Sequence, residues 1–575
     1  MRSRPLRWLL ASMLAGIVVA VVAVASPGGP PRAEPAVQAA SQLGDFRIFT
    51  VAGSPTSLKG SPRTGALATD AAFGILEAIA AAPDGGFVVR TFSQRVLRIG
   101  PAGRITELLN GGARRGYSGD GGSASRARVG ELTDVAVGGD GSVFVADAEN
   151  CNVRRIAPDG LIFTITGQRR APFPGTCRDR GDDGPADRAR LCSPMSLEVT
   201  PADTLLIGTA CGRVREIGRD GVIRLLAGGG GPSDPPDDLG GGVSEPARDG
   251  DDARSAELDG HIEIATTPDR RPVIFEGGRV WLVDSDGRLR RIHGLPDELF
   301  DVAVLPLPDQ SLLLSPEPYK RLLRRWPDGR LENLLRARPR DRQAGAHDGD
   351  GGPLSLAPVL PFDMAVAADG GLLLMDFDHV RYVAPETPQR LAIGIARETV
   401  SSRLPLKVTL ETTLPARVTV RVGARGHMLA TPTVDLPAGR SEVTLPRASR
   451  RRLNVIAVRA HAPSVAGPEQ VASDRLGVLP GRRLPGDVPL RLMGEEADFI
   501  AERGGGRAGA HCRRFSSRRI DCGAVDFGIC QEVTSFQLRS DGVLTVRAYG
   551  GGHGPRCRLR ARPDWRRPWA MSLPT

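Results

Sequence analysis

The sequence predicts an all-β protein: a six-bladed β-propeller, then a β-sandwich, then a small disulfide-bonded β-hairpin module. Three observations carry this. A unit of short apolar strands recurs six times between residues 46 and 388. Glycine (71) and proline (47) are abundant while aromatics make up 4%, which favours short strands and tight turns over long helices. At 575 residues the chain exceeds one ordinary domain, and the repeat stops near residue 389.

Residues 1–25 read as a signal peptide or N-terminal anchor. "MRSRPLR" is basic, Trp8 to Ala25 carries no charge, and a small-residue "AVA" precedes Ser26. The apolar run is long for a cleaved signal and just reaches the length that spans a bilayer, so cleavage and anchoring are both open. Either way the expectation is an exported chain, extracellular or on the outer face of the cell membrane, with membrane attachment through residues 8–25 only. Residues 26–45 are a Pro-rich linker.

The repeat begins with strand pairs. "FVVRT" at 87, "VFVAD" at 143, "LLIGT" at 205, "VIFEG" at 273, "LLLSP" at 312 and "LLLMD" at 372 are each followed by a second strand, as in "RVLRIGP" and "NVRRIAP". After five of these comes a turn glycine (Gly103, Gly160, Gly221, Gly287 and Gly329) and a further strand. Another strand precedes each pair, such as "DVAV" at 134 and "DMAV" at 363. A lone four-stranded sheet cannot bury both faces, whereas radial stacking of six can. The sixth unit lacks a clear fourth strand. "FRIFTVAG" at 46–53 resembles the fourth strands "LIFTITG" and "VIRLLAG", so it is expected to complete the last blade and latch the ring.

Between blades lie glycine-aspartate loops: "GYSGDGGSASRARVGEL" from 116, "RDRGDDGPADRARLCSP" from 178, "ARDGDDARSAELDG" from 247 and "AHDGDGGPLSLAPVL" from 346. A glycine-poor version spans Ala66 to Phe73, and blade 5 has no such insert, which shortens its interval. No Walker context and no calcium-loop spacing surrounds them. The expected role is a tight turn in which Asp caps a short helix.

The string "TVAG…SGDGG…DVAV…DGSVFVAD…NVRRIAPDG" resembles the NHL-repeat six-bladed β-propeller family in its bacterial exported form, over residues 46–388. Cys151 stands where a His is usual in that family. Hydrolase and lyase relatives of six-bladed propellers use His-rich zinc sites or a Glu/Asn/Asp calcium site. His261, His347 and His379 fall at non-equivalent positions and do not reproduce a zinc triad.

Residues 389–480 alternate apolar and polar side chains at period two, as in "LKVTLETT" and "ARVTVRVG", and resemble an immunoglobulin-like β-sandwich. Residues 481–510 are a Gly- and Arg-rich linker. Residues 511–575 form a small Cys-containing module of two expected hairpins, similar to short tails on actinobacterial exported proteins. The eight cysteines fall into two groups, Cys151, Cys177, Cys192 and Cys211, then Cys512, Cys522, Cys530 and Cys557. In an exported chain they read as disulfides, and none has C-x-x-C spacing. Cys151 and Cys211 occupy equivalent hairpins of adjacent blades while Cys177 and Cys192 bracket the loop between, which predicts Cys151–Cys177 and Cys192–Cys211. Cys512 is expected opposite Cys522, with Cys530 and Cys557 flanking the second hairpin.

The net charge of +10 does not indicate nucleic acid. Only three lysines occur (Lys59, Lys320 and Lys407), and the arginines are spread along the chain among Asp and Glu. Candidate chemistry concentrates at the propeller axis. Asp134, Asp301 and Asp363 begin inner strands, and Glu77, Glu198 and Glu263 lie near the equivalent position in the other blades. Such a ring could hold Ca²⁺ or attract a cation. The competing reading is that each Asp satisfies nearby backbone N–H groups. No catalytic residue and no cofactor are expected; Ca²⁺ at this ring would be the exception. The functional expectation is a non-enzymatic, cell-surface binding or scaffold protein that takes a protein, peptide or glycan on its loop face. The alternatives are a metal-dependent hydrolase or lyase of the lactonase or amidating-lyase sort, and a structural sensor or adhesion stalk.

Overall fold

The computed structural model describes residues 43 and 45–550, with breaks at 54–61, 112–114, 169–176, 231–246, 261, 296–299, 318–320, 336–349, 358, 360, 397–404, 425–426, 446–453, 464–468, 479–508, 517–518, 527–528 and 539–543. The N-terminal signal or anchor, most of both linkers, His261, His347 and Cys557 therefore lie outside the described residues.

Six antiparallel sheets follow one another, each with its first strand innermost. Blade 1 runs Leu76–Ala81, Phe87–Thr91, Arg95–Ile99 and Ile105–Asn110. The next four blades begin at Leu132–Val137, Pro194–Val199, Ile262–Thr266 and Phe300–Pro306, and the sixth at Asp363–Val366. Register within each blade is set by the turn between its first two strands. There the left-handed position is held by Gly85, Gly141, Asp203, Arg270, Gln310 and Gly370, with φ of 85°, 84°, 62°, 72°, 64° and 81°. Glycine takes that conformation freely, and Asp, Arg and Gln adopt it at a cost.

The ring closes as expected. Arg47–Ala52 pairs antiparallel with His379–Val383, matching Ile48 to Val383 and Phe49 to Tyr382, so the N-terminal strand is the outer strand of blade 6. Phe49, Val51 and Ala52 are buried in one apolar cluster with Phe87 and Leu97 of blade 1 and Leu373 and Tyr382 of blade 6.

The glycine-aspartate loops do something the sequence reading missed. Ala124–Arg126, Ala186–Arg188 and Leu354–Leu356 are single 3₁₀ turns whose N-cap side chains make no capping bond, which corrects the expectation of Asp-capped helices. In these three loops an aspartate instead receives an arginine, whereas in the blade 4 loop Asp252 Oδ1 does accept the N–H groups of Arg254 (3.0 Å) and Ser255 (3.2 Å), as the capping expectation has it. Arg154, fully buried in the third strand of blade 2, donates to Asp120 Oδ1 at 2.5 Å and to the carbonyls of Ser118 (3.0 Å) and Arg128 (2.9 Å). In blade 3, Arg215 donates to Asp182 Oδ1 at 2.8 Å and to the Arg190 carbonyl at 2.7 Å; in blade 6, Arg381 donates to Asp350 Oδ1 at 2.7 Å. At the same position blade 1, whose loop lacks the aspartate, has Leu97. Each loop also bonds to the outer strand of its blade: Gly121 N–H donates to the Ile162 carbonyl at 2.8 Å, and Ile162 N–H returns to Gly122 at 2.9 Å. The loops thus cover sheet edges, and those of blades 2, 3 and 6 are stapled by buried guanidinium groups.

Two disulfides join the blade 2–3 boundary as expected. Cys151–Cys177 and Cys192–Cys211 have Cα separations of 5.8 and 5.9 Å.

The β-sandwich stacks a three-stranded sheet (Ile393–Ala396, Leu406–Thr412, Gly439–Leu445) on a larger one centred on Ala416–Ala424 and Asn454–Ala462. Val408, Leu410, Val418, Val420, Ile456 and Val458 fill the space between. It abuts the propeller: Thr69 Oγ1 and Ser473 Oγ lie 2.7 Å apart, and Arg459 donates to Asp70 Oδ2 at 3.0 Å. The C-terminal strands Gly509–Ser516, Arg519–Asp526, Ile529–Leu538 and Leu544–Gly550 pair successively, so the two expected hairpins merge into one four-stranded sheet. Cys512 and Cys522 are register partners in it, as the hairpin reading requires.

Candidate axial site

The six innermost strands enclose an axial cavity of about 650 Å³, within the usual size of a ligand pocket. Its wall includes Glu77, Asp134, Glu198, Glu263 and Asp363, five of the six carboxylates proposed from sequence.

Strand register corrects their equivalence. Counting from the turn, Val135 opposes Val145, Ile264 opposes Ile274 and Met364 opposes Leu374. Asp134, Glu263 and Asp363 are therefore true counterparts, one residue earlier in each strand. Asp301 is not. The tetrapeptide "DVAV" occurs in blades 2 and 5, but in blade 5 two more strand residues, Leu305 and Pro306, intervene before the turn that Leu307 and Ser311 close. Val304 pairs with Leu314, which puts Ala303 at the Asp134 position and Asp301 two residues away. Blades 1 and 3 carry Ala78 and Ser196 there. Glu77 precedes that position by one residue and Glu198 follows it by two.

Two counterparts act as clamps between blades. Asp134 Oδ1 accepts the Val135 N–H and Oδ2 the Leu197 N–H of blade 3, both at 2.7 Å. Asp363 Oδ1 accepts the Met364 N–H at 2.7 Å and Oδ2 the Ile79 N–H of blade 1 at 2.8 Å. An innermost strand has one edge facing the axis, and these carboxylates satisfy its donors. Glu77 forms an ion pair with Arg90, a buried cation that the sequence reading missed.

Enclosure decides the electrostatics. Burial, together with the charge of Asp363, pushes Asp134 up to about 7. Glu198 is pushed up to about 8 by burial and then by the charges of Asp134 and Asp363. Burial raises Asp363 to about 6. Three acids facing one cavity thus titrate around neutrality, which suits proton exchange or attraction of a cation. Among the described residues, no three of the axial carboxylates bring ligand oxygens within 4.8 Å of one another, the spacing a shared ion needs. His379 lies buried on the third strand of blade 6 against Asp378, away from the cavity wall.

One end of the cavity carries exposed aromatics. Phe362 leads into the inner strand of blade 6, while Phe92 and Phe377 occupy turns between second and third strands, at the same end of the blades. Their exposures are 40%, 59% and 52%. The Phe362 and Phe377 rings lie 6.3 Å apart. Phe377 accepts a backbone bond from Leu76, and Phe92 donates one to Ile75, which places all three at the blade 6–1 boundary. Nothing in the sequence marks them beyond their scarcity, because Phe92 and Phe377 each follow a strand in an ordinary turn and Phe362 directly precedes one.

No known family model matches the chain, and no curated protein matches it. Solved propeller-like structures are similar. A gluconolactonase from Xanthomonas campestris is 15% identical with a TM-score of 0.36, covering 62% of this chain and 95% of that one. An auxiliary nutrient binding protein from Bacteroides thetaiotaomicron is 11% identical with a TM-score of 0.37, covering 59% and 76%. Virginiamycin B lyase from Staphylococcus aureus is 14% identical with a TM-score of 0.33, covering 54% and 94%.

Proposed function

We propose that this chain is an exported binding protein whose propeller takes a protein, peptide or glycan on the loop face, over the axial cavity. The observation that carries the reading is the exposed trio Phe92, Phe362 and Phe377 beside that cavity. Monomeric proteins seldom leave aromatics grouped in solvent, and aromatic anchors dominate recognition surfaces. The two disulfides fit an oxidising compartment. On this reading the propeller (46–388) is of NHL type, residues 389–480 are an immunoglobulin-like spacer, and residues 511–575 are a cystine-bearing tail.

The test is an array of immobilised glycans and peptides probed with the full chain and with Phe92→Ala/Phe362→Ala/Phe377→Ala. Ligands retained by the parent and lost by the triple variant, at unchanged melting temperature, support the reading. Equal binding by both proteins refutes it. A metal-dependent hydrolase or lyase is the second reading, favoured by the near-neutral titration of Asp134, Glu198 and Asp363. It requires Ca²⁺ to stabilise the fold by more than about 1 kcal/mol, the effect of an ion at several times its Kd. The binding reading expects a smaller shift, unchanged by Asp134→Asn/Asp301→Asn/Asp363→Asn.

A further inference from the structure

We infer that, given the binding function proposed above, the axial cavity is a pocket for one long cationic side chain, lysine or arginine, carried on a peptide whose apolar neighbours rest on Phe92, Phe362 and Phe377.

Strand register gives the depth of each side chain in the cavity. Phe362 and Glu77 stand one residue before the level of Asp134, Glu263 and Asp363, and Glu198 stands two residues beyond it. Three strand residues therefore separate the aromatic end from Glu198, roughly 10 Å along the axis. At the level of Glu198 the other five blades carry Ala80, Ala136, Ala265, Leu305 and Ala365, fixed by their pairing with Val88, Phe144, Val273, Leu313 and Leu373 of the second strands. All six residues of that level line the cavity. Four of them end in a methyl group, so a single carboxyl group stands in a roomy and otherwise apolar chamber.

The fold gives Glu198 no use of its own. Asp134 and Asp363 clamp backbone donors of neighbouring blades, and Glu77 has Arg90. Among the described residues Glu198 accepts no backbone N–H and forms no ion pair; the Thr266 hydroxyl is its one side-chain partner. Burial and the charges of Asp134 and Asp363 push it up to about 8. An acid enclosed without a counter-charge opposes folding, and a bound cation supplies what it lacks.

Shape selects the kind of cation. A metal ion needs several oxygens converging on one point, and among the described residues the axial carboxylates do not converge so. Alanine walls around one acid instead match an apolar stem with a charge at its tip, which is the form of lysine and arginine. Neutral glycans offer neither the stem nor the charge. The stem belongs to a longer ligand, because the exposed rings of Phe92, Phe362 and Phe377 lie at one end of the same cavity, where residues beside the cation would rest.

The test uses the full chain and blocked fluorescent pentapeptides Gly-Leu-Xaa-Leu-Gly, with Xaa lysine, arginine, Nε-acetyl-lysine or glutamate. Saturable anisotropy is expected for the lysine and arginine peptides, each about tenfold tighter than the acetyl-lysine peptide, which keeps the stem and loses the charge. Glu198→Gln preserves the shape of the side chain and should bring that preference down to parity. Ala80→Leu narrows the chamber at the same level and should weaken the cationic peptides about tenfold; it carries the test if the glutamine variant melts early. Equal binding of the lysine and acetyl-lysine peptides, a preference that survives in both variants, or no binding of any peptide overturns the inference. So does n-butylammonium that displaces the lysine peptide at equal concentration, since the ligand would then be a free amine. A neutral or acidic ligand that is lost with Phe92→Ala/Phe362→Ala/Phe377→Ala sustains the binding function while refuting the cationic pocket.

Discussion

At the scale of single residues, an axial carboxylate costs stability when ionised and contributes when its oxygens bind backbone donors. Glu198 shows the first behaviour: burial and the charges of Asp134 and Asp363 oppose its ionisation, holding it near 8. The unfolded chain loses that proton near pH 4, so the native state holds more protons between about pH 4 and 8. Stability from this group is therefore full at the acid end of that window and is lost as pH rises through it. Glu198→Gln is expected to raise the melting temperature at pH 8.5 by about 2–4 °C, the effect of roughly 1 kcal/mol in a domain of this size, and to change little at pH 5.5. A scanning-calorimetry series at both pH values checks this, and an equal gain at each would show that charge is not the cause. The loop staples obey different rules. Arg154→Leu leaves the carbonyls of Ser118 and Arg128 with only each other's N–H, at 3.3 Å, and leaves Asp120 without its cation, which should cost about 3 kcal/mol. Adding Asp120→Ala should cost less than it does in the parent, because Asp120 has by then lost its arginine and keeps only the hydroxyls of Tyr117 (2.8 Å) and Thr164 (3.2 Å). The coupling energy from that cycle in denaturant melts measures the staple itself.

At the scale of elements, the loop and the strand it covers form one unit. The loop must reach back to its own blade's outer strand, and a left-handed glycine lets it: at Gly119 (φ +97°) a Cβ would sit 2.9 Å from the Ala127 Cα. Gly119→Val is thus expected to be worse than the same change at Gly141, where a Cβ would meet nothing within 4 Å. The N-terminal latch is the element on which the ring depends most. Deleting residues 46–53 removes the outer strand of blade 6 and uncovers an apolar cluster shared by blades 6 and 1. The melting temperature should fall by more than about 10 °C, since several buried side chains at roughly 1.5–3 kcal/mol each lose their cover. A melting point within 2 °C of the parent would refute the latch.

At the scale of the whole molecule, the propeller and the sandwich share buried polar contacts instead of a bare tether. Thr69 is 8% and Ser473 5% exposed, and Asp70 takes both Ser473 and Arg459. Calorimetry of the parent is expected to show the two melting together. Thr69→Arg forces a long cation into that contact and should split the transition in two; a single transition in the variant would mean that the junction carries little coupling.

The sequence by itself determined the class of fold, the number of blades, the identity of the latching strand and the two propeller disulfides. Each rests on local signals: period-two alternation, turn glycines at regular intervals, and cysteines at equivalent places in adjacent repeats. It also placed carboxylates at the axis, because inner strands are recognisable by their order in the repeat. Tertiary structure decided what those carboxylates do. Identical "DVAV" segments lie in different registers because register is counted from the turn that follows, and a change of two residues moves Asp301 out of line with Asp134 while preserving the motif. Likewise the loop aspartates looked like helix caps, since a cap is a local partner, but their real partner is an arginine some 30 residues later in Arg154, Arg215 and Arg381. In blades 2, 3 and 6 that pairing was written in the chain as Arg where the loop has Asp, with Leu97 in blade 1 where it has none; in blade 4 the loop's Asp249 takes the Arg291 N–H instead, and Trp281 stands at the arginine's place. Only the return of the loop onto its own blade gives it meaning, because contact across an outer sheet edge has no period along the sequence.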